Sequence, residues 1–210
     1  MKYKVMIVED QTMPRELFEL RVQSSEHFEV ALSIDNAALT DVYCLRFPVD
    51  LILMDVVTRG GESGLDAAER IKRAFPQIKI IIVTSMPECS YLSRAREIGV
   101  ESFWYKEEQR ESLLDVMERT MAGESVYPDA TPEMQLGLTS SYELTDRELE
   151  VLREMTGGDT NQEIAERLHM SVATVKTHIL NMLEKTGFRN RTELAVRARE
   201  SGLVILNRKK

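Results

Sequence analysis

The chain has 210 residues, 43% of them hydrophobic and 30% charged, with a formal net charge of −8, the make-up of one or two water-soluble globular domains. No run approaches the roughly 18 apolar residues that a membrane span requires, and the N-terminus enters a strand pattern at once in place of a secretory leader, so a cytoplasmic protein with no membrane partner is expected. Cys44 and Cys89 lack metal-ligand spacing and read as reduced, idle thiols.

Short apolar runs alternate with helical patterns through the first ~121 residues. Strands are expected at 3–8, 28–34, 51–55, 79–84 and 101–105, and helices at 14–24, 37–47, 64–75, 89–98 and 109–121. A repeated strand–helix pattern with short loops predicts an α/β, flavodoxin-like doubly wound parallel sheet. Between 123 and 141 the period is lost among Gly123, Pro128, Pro132, Gly137 and Ser140-Ser141. This reads as a linker, with a short helix around 132–138 as the alternative. The remainder, 142–210, is a compact helical region. Capping boxes open three of its helices at Thr145/Glu148, Thr160/Glu163 and Asn190/Glu193, and Ser171 caps a fourth that runs to about Lys185. Gly157-Gly158 and Gly187 supply helix-ending turns. The expected organisation is therefore a sheet domain at 1–122, a linker at 123–141 and an all-α, four-helix domain at 142–210.

Charge is divided unevenly along the chain. Residues 1–141 carry 15 basic and 24 acidic side chains, residues 142–210 carry 12 and 11, and from Met170 onward there are 9 basic against 3 acidic. The acidic front half disfavours phosphate backbones and the basic end favours them, although a solvated helix face with a charged tail explains the same numbers.

Chemistry gathers beyond the carboxyl ends of parallel strands. There the apolar runs end in Glu9-Asp10, Asp55 and Thr84, and Lys106 follows the fifth. Clustered carboxylates repel unless a cation lies among them, and hard oxygen ligands suit Mg²⁺. Taken singly, each of these residues has a plain alternative: Asp10 or Asp55 as a turn or cap residue, Lys106 as a solvated lysine, Phe103 as core. Their occurrence together, in order, on successive strand ends argues for one site.

These residues resemble the receiver domain of two-component response regulators: the acidic pair Glu9 and Asp10, the phosphoacceptor Asp55, the hydroxyl of Thr84, the aromatic switch Phe103 and Lys106. The resemblance implies that Asp55 takes a phosphoryl group from a sensor histidine kinase. It implies Mg²⁺ held by Glu9, Asp10, Asp55 and the backbone carbonyl of Val57, and phosphoryl oxygens bound by Lys106, Thr84 and the amide of Ser85. Three departures stand out. Glu9 replaces the more frequent Asp, the loop 56–64 lacks the usual Met-Pro and is one residue longer, and Glu107 follows Lys106.

The segment 144–152, then 161–165, 171–178, Asn181, 185–187 and 190–194, resembles the LuxR-type helix-turn-helix family. Together the halves resemble response regulators of the NarL/FixJ class. The resemblance implies a recognition helix after Ser171 that enters the major groove of double-stranded DNA, and a last helix that supports a homodimer when active. On its outward face stand Thr174, Lys176, Thr177, His178, Leu180 and Asn181. Lys176 could read guanine edges or phosphate and Thr177 a thymine methyl or a backbone oxygen, while Lys185, Arg189 and Arg191 are phosphate candidates. His178 is read either as a structural histidine or as a base contact, the former preferred. Asn161 and Glu163 are read as capping residues. The function expected is transcriptional regulation by phosphorylation of Asp55. One alternative is a DNA-binding regulator whose receiver works without phosphate. Another is an Mg-dependent aspartyl phosphohydrolase, disfavoured because Val57 stands where such enzymes need a second Asp.

Overall fold

The computed structural model describes residues 2–88, 90–106 and 111–204. They form two compact units, the first comprising residues 2–85, 90–106 and 111–130 and the second residues 86–88 and 131–204.

The first unit is a five-stranded parallel sheet of β1 (Tyr3–Val8), β2 (Phe28–Ile34), β3 (Leu51–Met54), β4 (Lys79–Thr84) and β5 (Ser102–Tyr105), in the order β2-β1-β3-β4-β5. The doubly wound expectation holds. β3 is buried at every position because helices cover both faces of the sheet, which is why Leu51–Met54 reads as an unbroken apolar run. Around the sheet run α1 (Thr12–Gln23), α2 (Thr40–Cys44), α3 (Gly64–Ala74), α4 (Ser90–Ile98) and α5 (Leu113–Met121). Phe18 and Val22 of α1 and Leu113, Val116 and Met117 of α5 pack with Val5, Ile7, Leu51, Leu53, Ile81, Val83 and Trp104. The alternate residues Met6, Ile52, Met54, Ile80 and Ile82 face the opposite side and are also fully buried.

One helix departs from expectation. In place of a single helix over 37–47, a 3₁₀ turn at Ala37–Leu39 precedes a five-residue α2. The Asn36 side chain caps Ala38, and the Thr40 hydroxyl donates to the Ala37 carbonyl at 2.8 Å, so local side-chain bonds tighten the start of this segment. The expected starts of the helices at 89 and 109 lie outside the described residues.

The segment expected as a linker carries structure. Val126 and Tyr127 lie against the sheet unit, whereas β6 (Gln135–Leu136) and β7 (Thr139–Ser140) form an antiparallel hairpin in the helical unit. The alternative of a helix at 132–138 is thus replaced by a hairpin. Gly137, at φ +64°, makes the turn, and an added Cβ would meet the Thr186 carbonyl oxygen at 2.1 Å.

The second unit continues with α6 (Asp146–Thr156), α7 (Asn161–Arg167), α8 (Val172–Thr186) and α9 (Arg191–Glu200) around a core that includes Leu149, Leu152, Ile164, Val175, Ile179, Met182 and Leu194. The capping boxes at Thr145 and Thr160 form as expected, and Ser171 accepts from the Thr174 amide. At α9 the outcome differs. Asn190 caps Thr192 and Glu193, but the Glu193 carboxylate accepts from the Arg189 amide at 2.9 Å, one residue before the cap. The extended backbone of Asn190 brings that earlier amide within reach. α8 ends on Gly187, whose φ of +73° is the left-handed C-terminal stop.

Candidate functional site

The final rungs of the parallel ladder fix three of the site residues. The Glu9 amide donates to the Ile34 carbonyl at 2.9 Å, the Asp55 amide to Val8 at 2.9 Å, and the Lys106 amide to Thr84 at 3.0 Å. Each backbone is thereby held just where its strand ends, and the side chains converge on one crevice. Glu9 is fully buried, Asp55 is 3% exposed, and Asp10 is half-buried.

Carboxylate oxygens of Glu9, Asp10 and Asp55 all lie within 4.8 Å of one another. The Lys106 ammonium lies between two of them, with Nζ 2.6 Å from Glu9 Oε2 and 2.9 Å from Asp55 Oδ2. The other Glu9 oxygen accepts from the Gln11 amide at 3.1 Å. Burial pushes the Asp55 carboxyl up to about 6; Lys106 pulls it down and the Glu9 carboxylate pushes it further up. Burial alone would lower the Lys106 pKa, but the Asp55 and Glu9 carboxylates outweigh it and raise it. The three carboxylates outnumber the Lys106 ammonium and the Arg15 guanidinium, which donates to the Glu9 carbonyl at 3.2 Å, and hard oxygen donors are the set that a small divalent cation takes. The cluster is consistent with a metal site.

The loop after Asp55 closes on itself. Val57 bridges Ser63, the Gly64 amide donates to Val56 at 2.8 Å, and the Thr58 hydroxyl accepts from Ala37 at 3.0 Å. Val57 is 39% exposed, and its amide is 3.5 Å from Asp55 Oδ1. The loop turns at Gly60 and Gly61, whose φ values of +90° and +77° only glycine adopts readily. Gly64 is a site residue that the sequence argument missed. A Cβ there would stand 1.9 Å from the Asp55 carbonyl oxygen, so the backbone carrying Asp55 needs glycine opposite it. The available signal was the Ser63-Gly64 pair at a helix start, where Ser63 is the N-cap.

Thr84 is fully buried at the end of β4, and Ser85 beside it is exposed. Phe103 is buried and pairs across the sheet with Ile82, as Tyr105 does with Thr84, so Thr84 and Phe103 share one face.

In the helical unit Thr174, Lys176, Thr177 and Asn181 are exposed on α8, His178 is half-buried, and Leu180 is 56% exposed. The threonine hydroxyls have local partners: Thr174 pairs with Ser171 at 2.8 Å, and Thr177 donates to the Ala173 carbonyl at 3.1 Å. The three phosphate candidates are placed differently. Arg189 is exposed. Lys185 donates to the Glu143 carbonyl and to Glu148 Oε2, each at 2.8 Å, and Arg191 donates to Asn161 Oδ1 at 2.8 Å and to the Asp159 carbonyl at 2.7 Å. Both of these cations hold the helices together.

Comparison with known proteins agrees with this division. Residues 5–118 match the response regulator receiver domain, and residues 142–198 match the bacterial regulatory proteins of the luxR family. The response regulator protein VraR of Staphylococcus epidermidis is 33% identical over 97% of this chain and 100% of its own length; VraR of Staphylococcus aureus is 32% identical with the same coverage. Among solved structures, RcsB from Salmonella enterica serovar Typhimurium, bound to promoter rprA with the phosphomimetic BeF3−, superposes with a TM-score of 0.60 at 21% identity, covering 93% of this chain and 98% of that one. A structure of two RcsB dimers bound to two parallel DNAs gives a TM-score of 0.64 at 19% identity, covering 95% and 98%. The chain belongs to the response regulators of the NarL/FixJ class, which join a receiver domain to a LuxR-type helix-turn-helix domain. It is a two-component, DNA-binding transcriptional regulator, a signalling protein and not a classical enzyme. Among the described residues no helix is long and apolar enough to cross a membrane.

Proposed function

We propose that Asp55 is the phosphoacceptor of a cytoplasmic response regulator, and that its phosphorylation controls operator binding by α8. The observation that carries this reading is the buried Asp55 carboxylate, 2.9 Å from Lys106 and clustered with Glu9 and Asp10 at the ends of β1 and β3. In the reaction an Asp55 oxygen attacks the phosphorus of a phosphohistidine on a sensor histidine kinase. The P–N bond breaks, the imidazole leaves with the electron pair, and an acyl phosphate remains. Glu9, Asp10, Asp55 and the carbonyl of Val57 would hold Mg²⁺, which supplies charge neutralisation and in-line orientation of the phosphoryl oxygens. Lys106, the Thr84 hydroxyl and the Ser85 amide bind the phosphoryl oxygens. The hydroxyl of Thr84 moves toward the new group, and Phe103, on the same face, shifts toward the space left behind.

On DNA, Lys176 and Asn181 are the side chains best placed to meet base edges, and the exposed Arg189 to meet phosphate. The active species is a homodimer on a roughly palindromic site. The test uses acetyl phosphate with Mg²⁺, then gel-shift binding at matched salt. The expected result is one acid-stable, base-labile phosphoryl adduct that is absent from Asp55→Asn, together with tighter binding by the phosphorylated protein. An adduct on another residue, or equal affinity in both states, would overturn the reading.

A further inference from the structure

β5 is an outer strand of its sheet, and such an edge exposes unpaired backbone groups unless something covers it. Here the chain that leaves α5 returns to do so. The Phe103 amide donates to the Val126 carbonyl at 2.8 Å, and the Val126 amide donates to Ser102 Oγ at 3.1 Å. Ser102 Oγ is itself 2.7 Å from the Thr120 hydroxyl of α5. Tyr127 comes next. Its ring centroid lies 6.2 Å from that of Phe103 with the planes inclined by 34°, and its hydroxyl donates to the Val100 carbonyl at 2.8 Å. The Arg96 guanidinium, on α4, lies 4.4 Å from the same ring. Covering an edge would need only the backbone bonds. The added ring contact falls on Phe103, the residue expected to move when Asp55 is phosphorylated.

We propose that residues 124–130 are a strap clamped to the sheet by Tyr127, and that displacement of Phe103 on phosphorylation loosens it. This rests on the phosphoacceptor reading above. Tyr127 binds one orientation of the Phe103 ring; when that ring withdraws toward Thr84, the strap loses a face and its bound population falls. The consequence is reach. The strap lies where the chain passes from the sheet unit, which ends near Ala130, to the helical unit, which begins near Thr131, so its release lengthens the chain that can run between them. Freeing seven residues, 124–130, adds up to about 25 Å of extended chain at ~3.5 Å each. That is of the order of one DNA helical turn, roughly 34 Å, which is the separation two modules of a dimer must span.

Two readouts on the full chain test this: hydrogen exchange of peptides covering 102–104 and 124–130, and operator affinity, each with and without phosphorylation. In the wild type, phosphorylation is expected to speed exchange in both peptides. Tyr127→Ala is expected to show fast exchange before phosphorylation and to shrink the phosphorylation-dependent affinity ratio by roughly threefold to tenfold, the scale of one lost aromatic contact. Its rate of adduct formation should stay unchanged. Tyr127→Phe keeps the ring and should keep most of the ratio, which separates the ring contact with Phe103 from the hydrogen bond to the Val100 carbonyl. Wild-type protein that gains affinity on phosphorylation with both peptides still protected, or Tyr127→Ala with an undiminished ratio, overturns the strap alone. No adduct on the wild type overturns the strap and the phosphoacceptor reading together.

Discussion

Replacing Asp55 with Asn should stabilise the sheet unit in the absence of metal, although it abolishes the proposed chemistry. The folded carboxyl titrates at about 6 against an ordinary value of 3.8, because burial disfavours its charge. Each pH unit of such a shift is worth about 1.4 kcal/mol, so the ionised carboxylate costs the fold on the order of 3 kcal/mol at neutral pH. The sign follows from proton uptake. Between the two values the folded state binds more protons than the unfolded one, so wild-type stability falls as pH rises from about 4 through about 6 and then levels off. Asn has no such charge and fills the same space. The variant should therefore match the wild type near pH 4 and exceed it by roughly 1–3 kcal/mol at pH 7.5, the lower end allowing for relaxation around Lys106. With a slope of ~1–3 kcal/mol per molar urea, this is a midpoint shift of about 1 M. Trp104, the single tryptophan of the chain, lies in β5, so its fluorescence follows the sheet unit alone. Excess Mg²⁺ should shrink the difference by stabilising the wild type more than the variant, which lacks one of the three carboxylates. A variant no more stable than wild type at pH 7.5 in chelator would refute the view that Asp55 is held as a costly buried charge.

Three further outcomes follow from the geometry. Gly64→Ala places a Cβ 1.9 Å from the Asp55 carbonyl oxygen, so the loop must move; a loss of about 2–4 kcal/mol by urea melting and slowed adduct formation are expected. Lys185→Met should cost the helical unit about 1–3 kcal/mol by circular dichroism melting, because Glu148 is buried and Lys185 is its cation, while the salt dependence of DNA binding stays unchanged. Lys176→Ala should do the reverse, leaving stability within about 0.5 kcal/mol and lowering the slope of log affinity against log salt by about 1 if it meets phosphate; unaltered binding would remove Lys176 from the interface.

The sheet was legible because buried parallel strands are written as apolar runs with a polar residue at the functional end. Val8 to Glu9, Met54 to Asp55 and Thr84 to Ser85 mark three ends in plain text. The capping boxes at Thr145 and Thr160 were equally readable, since both partners lie within one turn. What was hidden depends on distant backbone or on partners far along the chain. Gly64 matters because of the Asp55 carbonyl, and Lys185 because of Glu148 and Glu143. Arg191 likewise looks like a free cation until α7 is brought beside it through Asn161 and Asp159. The hairpin was missed because its two-residue strands have no period to detect.

That hairpin bears on where the DNA reader can be cut from the rest. The Leu138 amide donates to the Thr186 carbonyl at 2.9 Å, sealing the last turn of α8, and Leu136 is 2% exposed within the helical core. A fragment begun at residue 142, where the family match begins, would discard both, uncovering an apolar hole and leaving a carbonyl for water to claim. Proteolysis or gene dissection that yields an autonomous reader should therefore preserve the chain from about Thr131, and boundaries drawn by similarity alone would trim away a piece of the module's own foundation.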